Sequence, residues 1–156
     1  EAVMRHTRAE VIKRASQEFR ALDRLVAKLT PAQWKKRVPR PESKDPWTVK
    51  DALAHITYWK VGVALSARGR RRPPEESRLK ITALNRLVYG RWRSRTGKDV
   101  LAWHRQVHRD LLAALREAPT AWFTRPSRSK DWPFDLDGHS AEHRVQDIES
   151  ALKPRS

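Results

Sequence analysis

The stretch Trp47–Lys60, WTVKDALAHITYWK, decides how this chain is read. A proline-containing turn delivers Trp47. Thr48 then reads as an N-cap, with Asp51 three residues on as a weak capping box. Val49, Ala52, Leu53, Ile56, Trp59 and Val63 recur at three- and four-residue spacing, which predicts a helix from about Val49 to Ala67 with one core face. His55 sits two turns in, and Trp59 follows one turn later on the same side. Asp51 and Tyr58 flank the histidine. Asp51 either orients the imidazole through its second nitrogen or serves only the helix start.

The same periodicity recurs on both sides. Val11, Ile12, Ala15, Phe19, Leu22, Leu25, Val26 and Leu29 predict a first helix from about Thr7 to Leu29, ended by Thr30-Pro31. A proline-rich irregular segment, residues 32–46, leads to Trp47. After the basic loop 68–77, a third helix is expected in two pieces, about 78–94 and 99–118, broken at Thr96-Gly97. A fourth, from about Gly138 to Leu152, has Asp137 as N-cap and Ala141, Val145, Ile148 and Leu152 as its stripe. No segment alternates with period two for long enough to be a strand. The expected fold is all-α: one domain over 1–156, an up-down four-helix bundle with irregular Trp/Pro-rich connections and a broken third helix.

Composition narrows the function classes. The 156 residues contain no cysteine, which removes disulfides and thiolate nucleophiles. No apolar run approaches the roughly 18 residues of a membrane span, and EAVMRHTRAEVIKR at the start has no apolar core of a signal peptide. No membrane partner and a cytoplasmic location are therefore expected. Only 38% of residues are hydrophobic, so the seven tryptophans carry much of the apolar area. Lys and Arg number 34 against 18 Asp and Glu, a formal charge of +16. Such a surface attracts polyanions without sequence preference. The basic residues are dispersed, and the one dense run, Arg68, Arg70, Arg71 and Arg72, is the contact cluster of a nucleic-acid-binding alternative.

Two regions of the chain read alike. Pro31-Ala-Gln-Trp34, then RPESKDPW (40–47), leads into the helix of His55. Pro119-Thr-Ala-Trp122, then RPSRSKDW (125–132), leads into the helix of His139 and His143. This order suggests two helical hairpins related by a pseudo-twofold axis. In an up-down bundle, the second and fourth helices start at the same end. His55 then lies about 10 Å deep and His143 about 9 Å deep at 1.5 Å per residue. His139 and His143 share a helix face. With His55 they form a candidate three-histidine site for a divalent ion such as Zn, Ni or Fe. Glu142 and Tyr58 are candidate proton-transfer groups by proximity, and Trp59 and Trp47 candidate substrate contacts. A second HxxxH, His104 and His108, falls on the apolar face of the third helix. An antiparallel third helix leaves that pair too deep to join His55, so they read as hydrogen-bonded core residues.

Residues 47–59, WTVKDALAHITYW, with LTPAQW at 29–34 and HSAEH at 139–143, resemble the signature of the DinB/YfiT-like superfamily. WPFDLDGHSAEH (132–143) leans towards its ClbS/DfsB-like branch. The resemblance spans nearly the whole chain. It implies a four-helix bundle holding a divalent metal through His55, His139 and His143. It further implies a thiol-dependent transferase or a hydrolase acting on a small electrophilic molecule, with a low-molecular-weight thiol as cofactor in the first case. A monomer or a homodimer is compatible with the sequence.

Overall fold

The computed structural model describes residues 6–39, 44–124 and 141–154, with side chains described throughout except at 141–144. Among the described residues there are eight helices: α1 (Arg8–Val26), α2 (Pro31–Trp34), α3 (Val49–Ala67), α4 (Pro74–Ser77), α5 (Ile81–Trp92), α6 (Gly97–Glu117), α7 (Thr120–Thr124) and α8 (Ala141–Leu152). No strand is present among them; Arg37 and Thr48 form one isolated antiparallel bridge. The all-α expectation holds. The segments expected to be irregular contain single-turn helices: α2 and α4 each have a proline at the helix start, and α2 is also capped by Thr30.

Threonine caps set most of the boundaries. Thr7 with Glu10, Thr30 with Gln33 and Thr96 with Asp99 each exchange side-chain and backbone bonds reciprocally. At α3 the Asp51 carboxylate takes both the backbone N–H and the hydroxyl of Thr48, at 2.8 and 2.9 Å. Lys50 serves the opposite kind of terminus. Its ammonium donates to the carbonyls of Trp92, Arg93 and Arg95 at 2.8, 3.0 and 2.8 Å, closing the end of α5.

These contacts also fix direction. The start of α3 lies beside the start of α6: Lys50 reaches residues 92–95, and Gly97 lies against Trp34. Further along, Lys60 meets His104 and Arg68 meets Asp110. Helices α3 and α6 are therefore parallel. Helix α1 runs against both, since Arg8 bonds the carbonyls of Leu115 and Arg116 while Asp23 pairs with Arg105. The up-down expectation fails for the third helix, and the physical reason is the connection. Residues 68–96 form a crossover containing α4 and α5, long enough to carry the chain back to the end where α3 began. Thr96-Gly97 is accordingly the capped start of a new helix and not a break within one.

Helix α3 is the central element, packing on α2, α5, α6 and α8. Its first half joins Leu22, Val26, Trp34, Val38, Trp47, Val100 and Ile148 in one core cluster. Its second half joins Val11, Ala15, Leu111, Leu115, Trp122 and Phe123 in another. Both short helices that follow a long one bury their tryptophan, Trp34 in α2 and Trp122 in α7. That much of the apparent duplication is seen. The two tryptophans nevertheless lie at opposite ends of α3, Trp34 near its start and Trp122 bonded to Ser66 near its end. The chain thus leaves α7 for α8 at the far end of α3, and equal depth of His55 and His143 below one common end no longer follows. The linker motifs at 40–43 and 125–132 lie outside the described residues.

Candidate functional site

His55 is the described centre of the candidate site. It is 4% exposed on α3. The Trp47 ring lies 5.0 Å away on one side, and the Trp59 ring stands edge-on at 5.3 Å on the other. The spacing of one turn between His55 and Trp59 puts the indole within reach, and its Nε1–H donates to Nε2 of His55 at 2.6 Å. An imidazole accepting at Nε2 is neutral, with its proton on Nδ1. Nε2 of His55 therefore carries no proton, as a metal-binding imidazole nitrogen must not, and its lone pair is engaged by the indole N–H. Trp47 is 2% exposed, which makes it a wall behind His55 and leaves it no surface for a substrate. Trp59 is partly exposed, packed on one side against the core.

The other expected ligands can be placed only in part. His139 lies outside the described residues. Glu142 and His143 are on the first turn of α8, whose side chains there are not described. Helix α8 packs on α3, and Val145, Ile148, Ala151 and Leu152 join the core around its first half. Among the described residues, no three His, Cys, Asp or Glu side chains stand close enough to share a metal. The residue that can be tested, His55, fits metal ligation by burial, neutrality and donor type. Asp51, considered as its orienting carboxylate, has Oδ2 committed to Thr48 at the helix start, while Oδ1 is buried with no hydrogen-bond partner among the described residues.

Tyr58 is differently employed from expectation. Its hydroxyl donates to Glu76 Oε1 at 2.6 Å, and Arg91 donates to Oε2 at 3.0 Å. Burial, followed by the bond to Glu76, pushes the phenol well above its ordinary pKa. It is thus a poor proton shuttle near neutral pH. Burial alone would raise Glu76, but the bonds from Tyr58 and Arg91 outweigh it and hold the carboxyl low. Arg72 lies 3.7 Å over the Tyr58 ring and 5.7 Å from the Trp59 ring, and it donates to the Tyr58 carbonyl at 3.0 Å. Arg68 pairs with Asp110 at 2.9 Å. Of the four arginines proposed to contact nucleic acid, two are engaged within the chain, and Arg70 and Arg71 are exposed. Sequence reading missed Glu76 because it stood in a presumed loop. The signal was an acidic pair placed directly after two prolines, the start of a capped turn.

His104 and His108 are buried, as the core reading required, at 0% and 9% exposure. Their depth was misjudged, because α6 starts at the same end as α3. His104 is eight residues past Thr96, about 12 Å from that end by the helical rise.

Comparison with known proteins places the chain. Residues 15–148 match the mycothiol maleylpyruvate isomerase N-terminal domain. No curated protein matches the sequence. The fold is similar to the crystal structure of an uncharacterised protein from Escherichia coli UTI89, with a TM-score of 0.65 at 14% identity, covering 93% of this chain and 85% of that one.

Proposed function

Because this chain belongs to the mycothiol maleylpyruvate isomerase N-terminal domain family, part of the DinB/YfiT-like superfamily, we propose that it is a divalent-metal-dependent enzyme. It joins a low-molecular-weight thiol to a small electrophilic molecule, or hydrolyses such a molecule, in a detoxifying role. The ligands are His55, His139 and His143, and the ion is Zn, Ni or Fe. The long helices α1, α3, α6 and α8 are read as the four-helix bundle that carries the site. The affinity to the ClbS/DfsB-like branch rests on residues 132–143 alone.

The observation that supports this reading most directly is His55: a buried, neutral imidazole with its Nε2 lone pair turned to Trp59. It stands on the helix against which α8, bearing Glu142 and His143, packs. A bound divalent ion supplies acidity to a thiol or water and polarises an electrophile. The chain's own residues do the remainder. Trp47 excludes water behind His55. Trp59 offers a partly exposed aromatic face to the substrate. Glu142, next to His143 in sequence, is the group proposed to move the proton.

Elemental analysis of tagless protein after metal supplementation tests the reading. About one ion per chain in the wild type, lost in His55→Ala and His143→Ala, is the expected result. Less than about 0.2 ion per chain, or unchanged loading in either variant, would falsify it.

A further inference from the structure

Helix α5 buries one side only. Leu84 and Val88 join the core beside α3. The opposite side carries a second stripe, in which Ala83, Arg86, Leu87, Gly90 and Arg93 recur at three- and four-residue intervals. With Leu79 they line an open groove of about 550 Å³. Its floor is apolar: Leu79, Ala83 and Gly90 are exposed and Leu87 is half-buried. A Cβ at Gly90 would meet nothing within 4 Å, so the middle of the groove is open. Ile81, 59% exposed, extends the apolar surface at the start of the helix. Among the described residues, Leu79 and Ile81 are the exposed large hydrophobics.

The rim is strongly basic. Residues 78–93 contain five Arg or Lys side chains and no acid. Arg91 is engaged by Glu76, and Asp45, at one edge of the groove, pairs with Arg86 at 3.5 Å. Arg78, Lys80 and Arg93 are exposed and have no ion-pair partner among the described residues. An apolar floor between guanidinium groups is complementary to a segment with an apolar stripe flanked by carboxylates. We propose that this face of α5 docks an acidic amphipathic helix of a partner protein. The missing side chain at Gly90 lets the backbone of such a helix come close. A second copy of the chain would set the same arginines against each other on a protein of net charge +16. An anionic membrane takes up a protruding apolar face, whereas these apolar side chains line a concavity. The docking surface is independent of the proposed metal site.

The probe is a synthetic peptide about four helical turns long, with leucines at i, i+3, i+4 and i+7 spacing and glutamates beside them. Its control carries lysines in place of the glutamates. In 1H–15N NMR of the full chain, the Gly90 amide is assigned as the glycine signal missing from Gly90→Leu. The glutamate peptide should shift that amide saturably, more at low salt, and the lysine peptide should leave it in place. Gly90→Leu should keep or raise Tm, because its Cβ meets no atom and leucine favours helix more than glycine. The same variant should abolish binding of the fluorescently labelled peptide. Arg93→Ala should weaken it about two- to fivefold, the worth of one exposed charge pair. An unmoved Gly90 amide, equal responses to the two peptides, or full binding by Gly90→Leu overturns the proposal. A Gly90 shift with protein concentration alone would replace the acidic helix by a second copy. A shift with phosphatidylglycerol vesicles and none with the peptide would replace it by a membrane. The shift is read on unaltered protein, so the result stands even if a variant folds poorly.

Discussion

The Lys60 ammonium lies 3.1 Å from Nε2 of His104, joining the middles of two parallel helices. Lys60 also pairs with Glu18 of α1 at 3.4 Å. Phe19 covers both histidines of α6, its ring 5.3 Å from His104 and 3.8 Å from His108. A lysine can only donate, so His104 accepts at Nε2 and is neutral. Burial first, and the Lys60 charge second, push His104 down to about 2 and His108 down to about 4. Three helices are therefore joined by a polar chain, Glu18–Lys60–His104, that works only while the His104 imidazole is uncharged.

Acid should undo this arrangement. Each histidine has a folded pKa below its ordinary 6.5. Its contribution to stability is full above pH 6.5 and is lost as pH falls, through about 4 for His108 and on towards 2 for His104. The loss is on the order of 3 kcal/mol per histidine by pH 4. Urea unfolding between pH 7.5 and 4.5 should show a falling midpoint, with a shallower fall in His108→Phe. Identical pH slopes for the two proteins would remove the histidines as the cause.

Gly97 is irreplaceable for a steric reason. A Cβ at this position would run into Cδ2 of the Trp34 indole. That ring is buried and rigid, and it holds the start of α6 against α2. Gly97→Ala should cost about 1–3 kcal/mol and lower Tm by several degrees, at about 2–4 °C per kcal/mol for a chain of this size. A Tm within a degree of wild type counts against this account.

Glu76 should control the basic loop. It is 8% exposed and takes bonds from Tyr58 and Arg91. Glu76→Gln removes the charge that both bonds rely on, at a cost of about 1–3 kcal/mol. Trypsin should then cut faster after the exposed Arg70 and Arg71, and Tyr58→Phe should act in the same direction more weakly. Unchanged cleavage rates in both variants would show that the loop is held by other contacts.

Metal loading should stabilise the fold as well as enable activity. A ligand bound only by the folded state at a hundredfold excess over Kd adds about 2.7 kcal/mol. Chelation should lower Tm by several degrees, Zn2+ should restore it, and His143→Ala should show neither change. A chelator-insensitive Tm in protein shown to contain metal would place the ion away from the folded core.

Local features were legible in sequence because they depend on neighbours a few residues apart. The spacing of Val49, Ala52, Leu53 and Ile56 defined α3 from Val49 to Ala67, the bounds observed. Thr48 announced a helix start, whereas Thr96, expected to mark a break, proved to be the cap of α6, and the interval between His55 and Trp59 put both on one face. Burial of His104 and His108 followed from the apolar stripe of their own helix.

Direction was not legible. Whether α6 runs with or against α3 depends on where the crossover of residues 68–96 lands, and that is decided by Lys50 on the carbonyls of α5, Trp34 on Gly97 and Lys60 on His104. The partners in each of these contacts are more than forty residues apart in sequence, and periodicity carries no record of them. For the same reason Glu76 passed as a loop residue until Tyr58 and Arg91 were seen to meet on it. The sequence by itself determined the long helices, most of their buried faces and the superfamily. Only tertiary packing decided how those helices are oriented, and hence what stands beside each histidine.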